Sequence, residues 1–168
     1  LQILAGILKP EKCSVQLHGK SPVECRIGFM NEYPDRNMLF SRVSDEIASS
    51  LRFSCSPCGE ISRGVELALE SAGILHLKNR RIHTLSGGEM ALVALLAVTI
   101  HSPEVLLLDE FDSHLDDRAV DAAEQIIRAS GAVTVLRCTQ NMDVASHSKT
   151  MIALFSGNYA DLLAKSAE

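Results

Sequence analysis

No apolar run in this sequence is long enough to cross a bilayer. The longest, Ala91 to Ile100, is about half of the ~20 residues that a spanning helix needs. Leu1 to Pro10 lacks the basic segment and the cleavage site of a signal peptide. The chain opens on Leu and not Met, which predicts a fragment of a longer protein. A secreted disulfide framework is missing too: the cysteines, at 13, 25, 55, 58 and 138, are odd in number and irregular in spacing. Reduced, cytosolic cysteines are the default expectation. Cys55-Ser56-Pro57-Cys58 has the spacing of a metal half-site, but no second CxxC or nearby HxxxH supplies further ligands. It reads as a proline-containing turn between helices. There is no basic excess: 16 Lys and Arg against 21 Asp and Glu leave a net charge of −5, which argues against a free-standing nucleic-acid binder. Internal repeats, low-complexity tracts and sustained heptads are also absent.

What is present is a chain of 168 residues, 46% hydrophobic, enough for one domain with a real core. Leu1 to Leu8 is apolar at helical spacing and reads as the end of a helix. Ser14 to His18 alternates like a strand that turns at His18-Gly19-Lys20, and Cys25 to Met30 is a second short strand. Val43 to Leu51 and Arg63 to Ala72 have helical periodicity, with Gly73 as a C-terminal cap. Glu89 to His101 is apolar on nearly every side, which predicts a buried helix. Glu104 to Asp109 and Ala132 to Cys138 read as buried strands, with the amphipathic helix Arg118 to Ala129 between them. Thr150 to Phe155 reads as a third buried strand, followed by a turn at Ser156-Gly157-Asn158 and a final helix from Tyr159 to Lys165. This alternation predicts an α/β fold, a parallel sheet covered by helices. Residues 43–101 read as a helical subdomain inserted in a core of residues 1–42 and 102–168.

Two stretches can carry chemistry. The run Val105 to Glu110 delivers Asp109 and Glu110 to the C-terminal end of a strand, where open α/β sheets bind ligands. An Asp there can hold Mg²⁺ through water, and the adjacent Glu can take a proton from an attacking water. The same pattern also fits a strand ending at two solvated acids. Leu85-Ser86-Gly87-Gly88-Glu89 pairs two glycines with a helix start, so that free N–H groups and the Ser hydroxyl can hold an anion. Taken alone it is also a flexible turn capping a helix.

Together, and in this order, the two stretches resemble the signature and Walker B motifs of ABC-type ATPases. The resemblance extends along the chain. Ser113-His114-Leu115-Asp116 is similar to the family's D-loop. Thr139-Gln140-Asn141 stands where the switch motif usually reads T-H-D. Ile27 to Pro34 looks like the Q-loop strand and loop. Pro34 to Ile47 resembles the corresponding segment of the cobalt-type and energy-coupling-factor ATPases, which energise uptake of metal ions and vitamins.

The resemblance implies a P-loop NTPase-like sheet with ATP and Mg²⁺ as cofactors, and pairs of subunits working head to tail. Ser86, Gly87, Gly88 and Glu89 would face the γ-phosphate of an ATP held by the partner. Asp109 and Glu32 would lie near Mg²⁺, Glu110 would be the general base, and Asp116 would sense the opposite site. The partners implied are a second ABC ATPase subunit, in a homodimer or heterodimer, and integral membrane transporter subunits on the inner face of the cell membrane, with no nucleic acid.

The sequence departs from the family in several places. The Gly-rich phosphate loop with its Lys is absent, Leu1 falling just past where it belongs, so the chain alone is not expected to bind ATP tightly. Glu32 replaces the usual Gln, Gln140 the usual switch His, Phe111 a common Pro, His114 a common Gly and Leu92 a common basic residue. Gln140 can donate a hydrogen bond to phosphate but cannot carry the proton or charge that a His can. The leading expectation is an ATP-hydrolysing transporter subunit. A catalytically weak partner in a heterodimer is the alternative, and the DNA-maintenance ATPases that share the signature are a third class.

Overall fold

The computed structural model describes residues 1–53, 57–146, 148–155 and 158–164. They divide into two units, Leu1–Cys138 and Thr139–Glu168.

In the first unit, β1 (Ile27–Met30), β2 (Val105–Asp109) and β3 (Thr134–Cys138) form a parallel sheet in that order. Gly28 pairs with Leu106, and Leu106 with Val135. Four helices accompany the sheet: α1 (Val43–Phe53), α2 (Cys58–Ser71), α3 (Gly87–Thr99) and α4 (Asp117–Ala129). The expected α/β class with a parallel sheet is therefore observed. As its uniformly apolar sequence predicts, α3 is buried almost throughout, Ala91 to Leu96 being hidden from solvent. One core runs from Ile47 and Leu69 on the outer helices, through Val93 and Leu95, to Met30, Leu106 and Leu108 in the sheet. From the far side α4 adds Ala123, Ile126 and Ile127.

Close approach of α3 to the sheet requires a glycine. A Cβ on Gly28 would lie 2.5 Å from the Val98 carbonyl oxygen and 2.9 Å from Leu106 Cδ1. Helix α2 ends as expected at Gly73 (φ +69°), where the Gly73 N–H donates to the Glu70 carbonyl and the Ile74 N–H to Leu69. Polar contacts fix the chain ahead of α1. The Glu46 carboxylate, 2% exposed, accepts from the N–H groups of Leu39 (2.8 Å) and Phe40 (2.7 Å). The Ile82 N–H donates to Ser41 (3.0 Å), tying this segment to the loop that enters α3.

Several expectations are corrected. Leu1 to Leu8 forms turns and no regular helix, and Ser14 to His18 contributes only the bridge Leu17–Lys20. The turn between those two residues does form, with φ of 51° at His18 and 77° at Gly19. Strand β3 is not buried: Val135 is 36% and Leu136 37% exposed, and Cys138 is exposed. The reason is position, since β3 is the edge of the described sheet and has a neighbour only in β2.

In the second unit, α5 (Met142–Ser146) precedes β4 (Thr150–Phe155) and β5 (Asn158–Ala164), which pair antiparallel from Thr150↔Ala164 to Phe155↔Asn158. The helix expected at Tyr159 to Lys165 is therefore a strand as far as Ala164, and Lys165 lies outside the described residues. A seven-residue segment is well short of the ~12–15 residues at which a helix becomes stable in isolation, and pairing with β4 satisfies its backbone instead. The expected turn at Ser156 and Gly157 also lies outside the described residues.

Two measurements check this account. Gly28→Ala forces α3 off the sheet and should lower stability by about 1–3 kcal/mol in chemical denaturation. His101, just past α3, has a buried Nδ1 with no hydrogen-bond partner among the described residues. Burial first, and the Arg26 charge second, hold its pKa below the ordinary 6.5. The unfolded chain then binds more protons than the folded one between those values, so this contribution is complete above about pH 6.5 and is lost as pH falls through the window. Acidification from about pH 7.5 to about pH 5 should lower Tm in the wild type more than in His101→Gln, as thermal denaturation would read.

Candidate active site

Because β1, β2 and β3 are parallel, their C-terminal ends share one edge of the sheet. Asp109, half-buried, ends β2 beside Cys138, the last residue of β3. Glu110 follows with φ 45° and ψ 33°, a left-handed conformation uncommon for a residue with a side chain. Its N–H donates to the Cys138 carbonyl at 2.9 Å. Glu32, half-buried, follows the end of β1, in a loop where the Tyr33 N–H donates to Asn31 Oδ1 (3.0 Å) and Arg36 lies over the Tyr33 ring (4.4 Å). Of the three carboxylates, Asp109 is the last residue of its strand, Glu110 follows that strand directly and Glu32 is the second residue past β1, all at the same end of the sheet.

The Cys138 thiol belongs to this corner. Partial burial, then the negative charge of Asp109 together with a hydrogen bond to that carboxylate, raise its pKa above the ordinary thiol value. The thiol is thus held protonated, by partial burial first and by its acidic neighbours second.

The other candidates gather elsewhere. Ser86 is the N-cap of α3: its hydroxyl accepts from the Glu89 N–H (3.2 Å), and the Glu89 carboxylate accepts from the Ser86 N–H (2.8 Å). This is a reciprocal capping box. Asp116 caps α4 in turn, accepting from the Ala119 N–H at 2.8 Å. Ser86, Gly88, Glu89 and Asp116 line one open groove of about 630 Å³, together with Leu92 and His76. Gly87, exposed, stands between two lining residues. Neither Asp109, Glu110 nor Glu32 lines this groove. Gln140 belongs to the second unit, exposed and just ahead of α5.

Sequence reasoning assigned Glu89 and Asp116 to the nucleotide, and in the structure each carboxylate also caps a helix start. The signal was available in the S-x-x-E spacing of Ser86 and Glu89 and in Asp116 standing just before an amphipathic run. His76 is exposed, and it lines the groove.

The sequence profile of the ABC transporter family matches residues 1–113. The chain belongs to the ABC transporter family. Glu32, the Ser86–Glu89 turn, Asp109 and Glu110 all fall inside the matched residues of this ABC chain, while Asp116 and Gln140 lie beyond them. The energy-coupling factor transporter ATP-binding protein EcfA1 of Lacticaseibacillus paracasei is 28% identical over 169 residues, covering 95% of this chain and 61% of the relative. The molybdate/tungstate import ATP-binding protein WtpC of Pyrococcus horikoshii is 36% identical over 134 residues, covering 76% of this chain and 37% of the relative. The solved structure of cbiO1 from Clostridium perfringens, part of the ABC transporter complex cbiONQ, superposes with a TM-score of 0.80 at 26% identity, covering 96% of this chain and 69% of that one. The chain thus spans about 60% of the length of the EcfA1 relatives it matches.

The capping box and the raised thiol give two checks. Ser86→Ala should cost about 1 kcal/mol of stability, while Glu89→Gln, which can still close the box, should cost much less. Alkylation followed by mass spectrometry should find Cys138 modified more slowly than the exposed Cys13 at neutral pH, and Asp109→Asn should speed it.

Proposed function

We propose that this chain is the larger part of an ATP-hydrolysing subunit that energises a membrane importer, with a metal ion, a vitamin or an oxyanion as cargo. The observation that carries the proposal is the pairing of family membership with an acidic corner at the strand ends, where Glu110 is held in a left-handed turn. Its support in chemistry comes from the names of the relatives, which are ATP-binding proteins of transporters and importers.

In this reading Glu110 is the general base. It takes a proton from the water that attacks the γ-phosphorus, while the bond to the β–γ bridging oxygen breaks and ADP leaves. Asp109 and Glu32 are oxygen donors suited to Mg²⁺, which when bound would neutralise phosphate charge. Ser86, Gly87 and Gly88 turn toward the γ-phosphate of an ATP bound mainly by a second subunit. The groove that holds them is not lined by Glu110, as a head-to-tail pair requires of two half-sites. Glu89 and Asp116 act by fixing the two helix starts beside that phosphate, and Gln140 has an amide that can donate a hydrogen bond to a γ-phosphate. Residues 43–101 form the helical part that meets the membrane subunits. No described helix is long and apolar enough to span a membrane, and the subunit works as a peripheral protein on the cytoplasmic face.

A second reading, a partner subunit that binds ATP without hydrolysing it, draws on Gln140 and Glu32 in place of the usual His and Gln. The transporter names of the relatives favour either reading over DNA maintenance. ATP turnover by the full-length protein separates the two. Under the leading reading, Glu110→Gln lowers kcat by about 10²- to 10⁴-fold and leaves ATP binding intact. Wild-type protein that binds ATP with no turnover, alone or with its membrane subunits, would leave the second reading standing.

A further inference from the structure

Arg137 on β3 and Glu124 on α4 form an ion pair that the proposed chemistry does not use. Arg137 Nη1 meets Glu124 Oε1, and Nη2 lies 3.2 Å from Oε2. The side chains are only 12% and 9% exposed. A guanidinium so buried needs its carboxylate, because an unpaired charge there loses its hydration with nothing in return. The paired guanidinium also faces a ring: its Cζ lies 6.0 Å from the centroid of Phe111, which is 2% exposed.

Both neighbours of this pair reach Glu110. Phe111 follows Glu110 directly, and Cys138, whose carbonyl accepts the Glu110 N–H, follows Arg137. The left-handed backbone of Glu110 is therefore held from the amide side by β3 and from the carbonyl side by a ring packed on β3's own arginine. A proline ring fixes its own φ. Phenylalanine has no such constraint, so its placement here depends on what packs around it.

We propose that Arg137 and Glu124 are positioning residues for Glu110, acting through Phe111. The proposal rests on the reading of Glu110 as the general base. Glu124→Leu alone would strand a buried guanidinium, so the decisive variant is the double substitution Glu124→Leu with Arg137→Met, since replacing both members of a buried pair by apolar groups is often neutral for stability.

In the full-length ATPase the folded double variant should keep the wild-type Tm and a KM for ATP within about twofold. Its kcat should fall on the order of tenfold or more, because small misplacements of reacting groups are costly. Hydrogen exchange at the Glu110 amide should quicken while the amides of α3 keep their protection. A merely structural pair predicts that kcat stays at the wild-type level once stability is kept, and that result, with Glu110 exchange unchanged, would overturn the proposal. If wild-type protein turns over no ATP, the general-base reading fails by itself. Exchange at the Glu110 amide then decides the positioning: faster in the double variant supports it, unchanged overturns it.

Discussion

Helix α3 reaches the sheet by laying its Val98 carbonyl against Gly28, and much of the first unit is arranged around that contact. Because α3 is apolar on nearly every face, it has to be enclosed, and α1, α4 and β1 enclose it from different sides. Its N-terminus then has a fixed place. Ser86 caps it there and Glu89 closes the cap, so the two intervening glycines are presented at a defined position on the surface. The placement of this proposed phosphate-facing turn is thus a product of core packing, since its residues are held by a helix that has nowhere else to go.

What was legible in the sequence follows from this dependence. The buried helix and β2 announced themselves because a continuous apolar composition has few other uses. The acidic pair at the end of β2 was readable because the strand that delivers it was readable. The errors fall where neighbours, and not local pattern, decide. Val135 and Leu136 look like core residues, yet they lie on an edge strand with one described neighbour. Tyr159 to Ala164 carries no period strong enough to outweigh an antiparallel partner a short connection away. The capping bonds of Glu89 and Asp116, two residues assigned to the nucleotide, likewise show only once their neighbours are in place.

Two departures from the family pattern acquire a physical setting. Leu92, where a basic residue is common, is 6% exposed and lies at the junction of the core and the groove, so it supplies packing. Phe111 is buried beneath Arg137, with Glu124 completing the set. The replacements at Glu32 and Gln140 have no such setting, and nothing in the structure explains them.

The left-handed backbone at Glu110 also has a practical consequence for engineering. Glycine adopts that conformation freely, so Glu110→Gly relieves strain where few other substitutions can. A search for thermostable variants scored on folding alone would therefore be drawn to this position early, and each success would remove the carboxylate at the strand end. Any stabilisation campaign on this chain should hold residue 110 fixed.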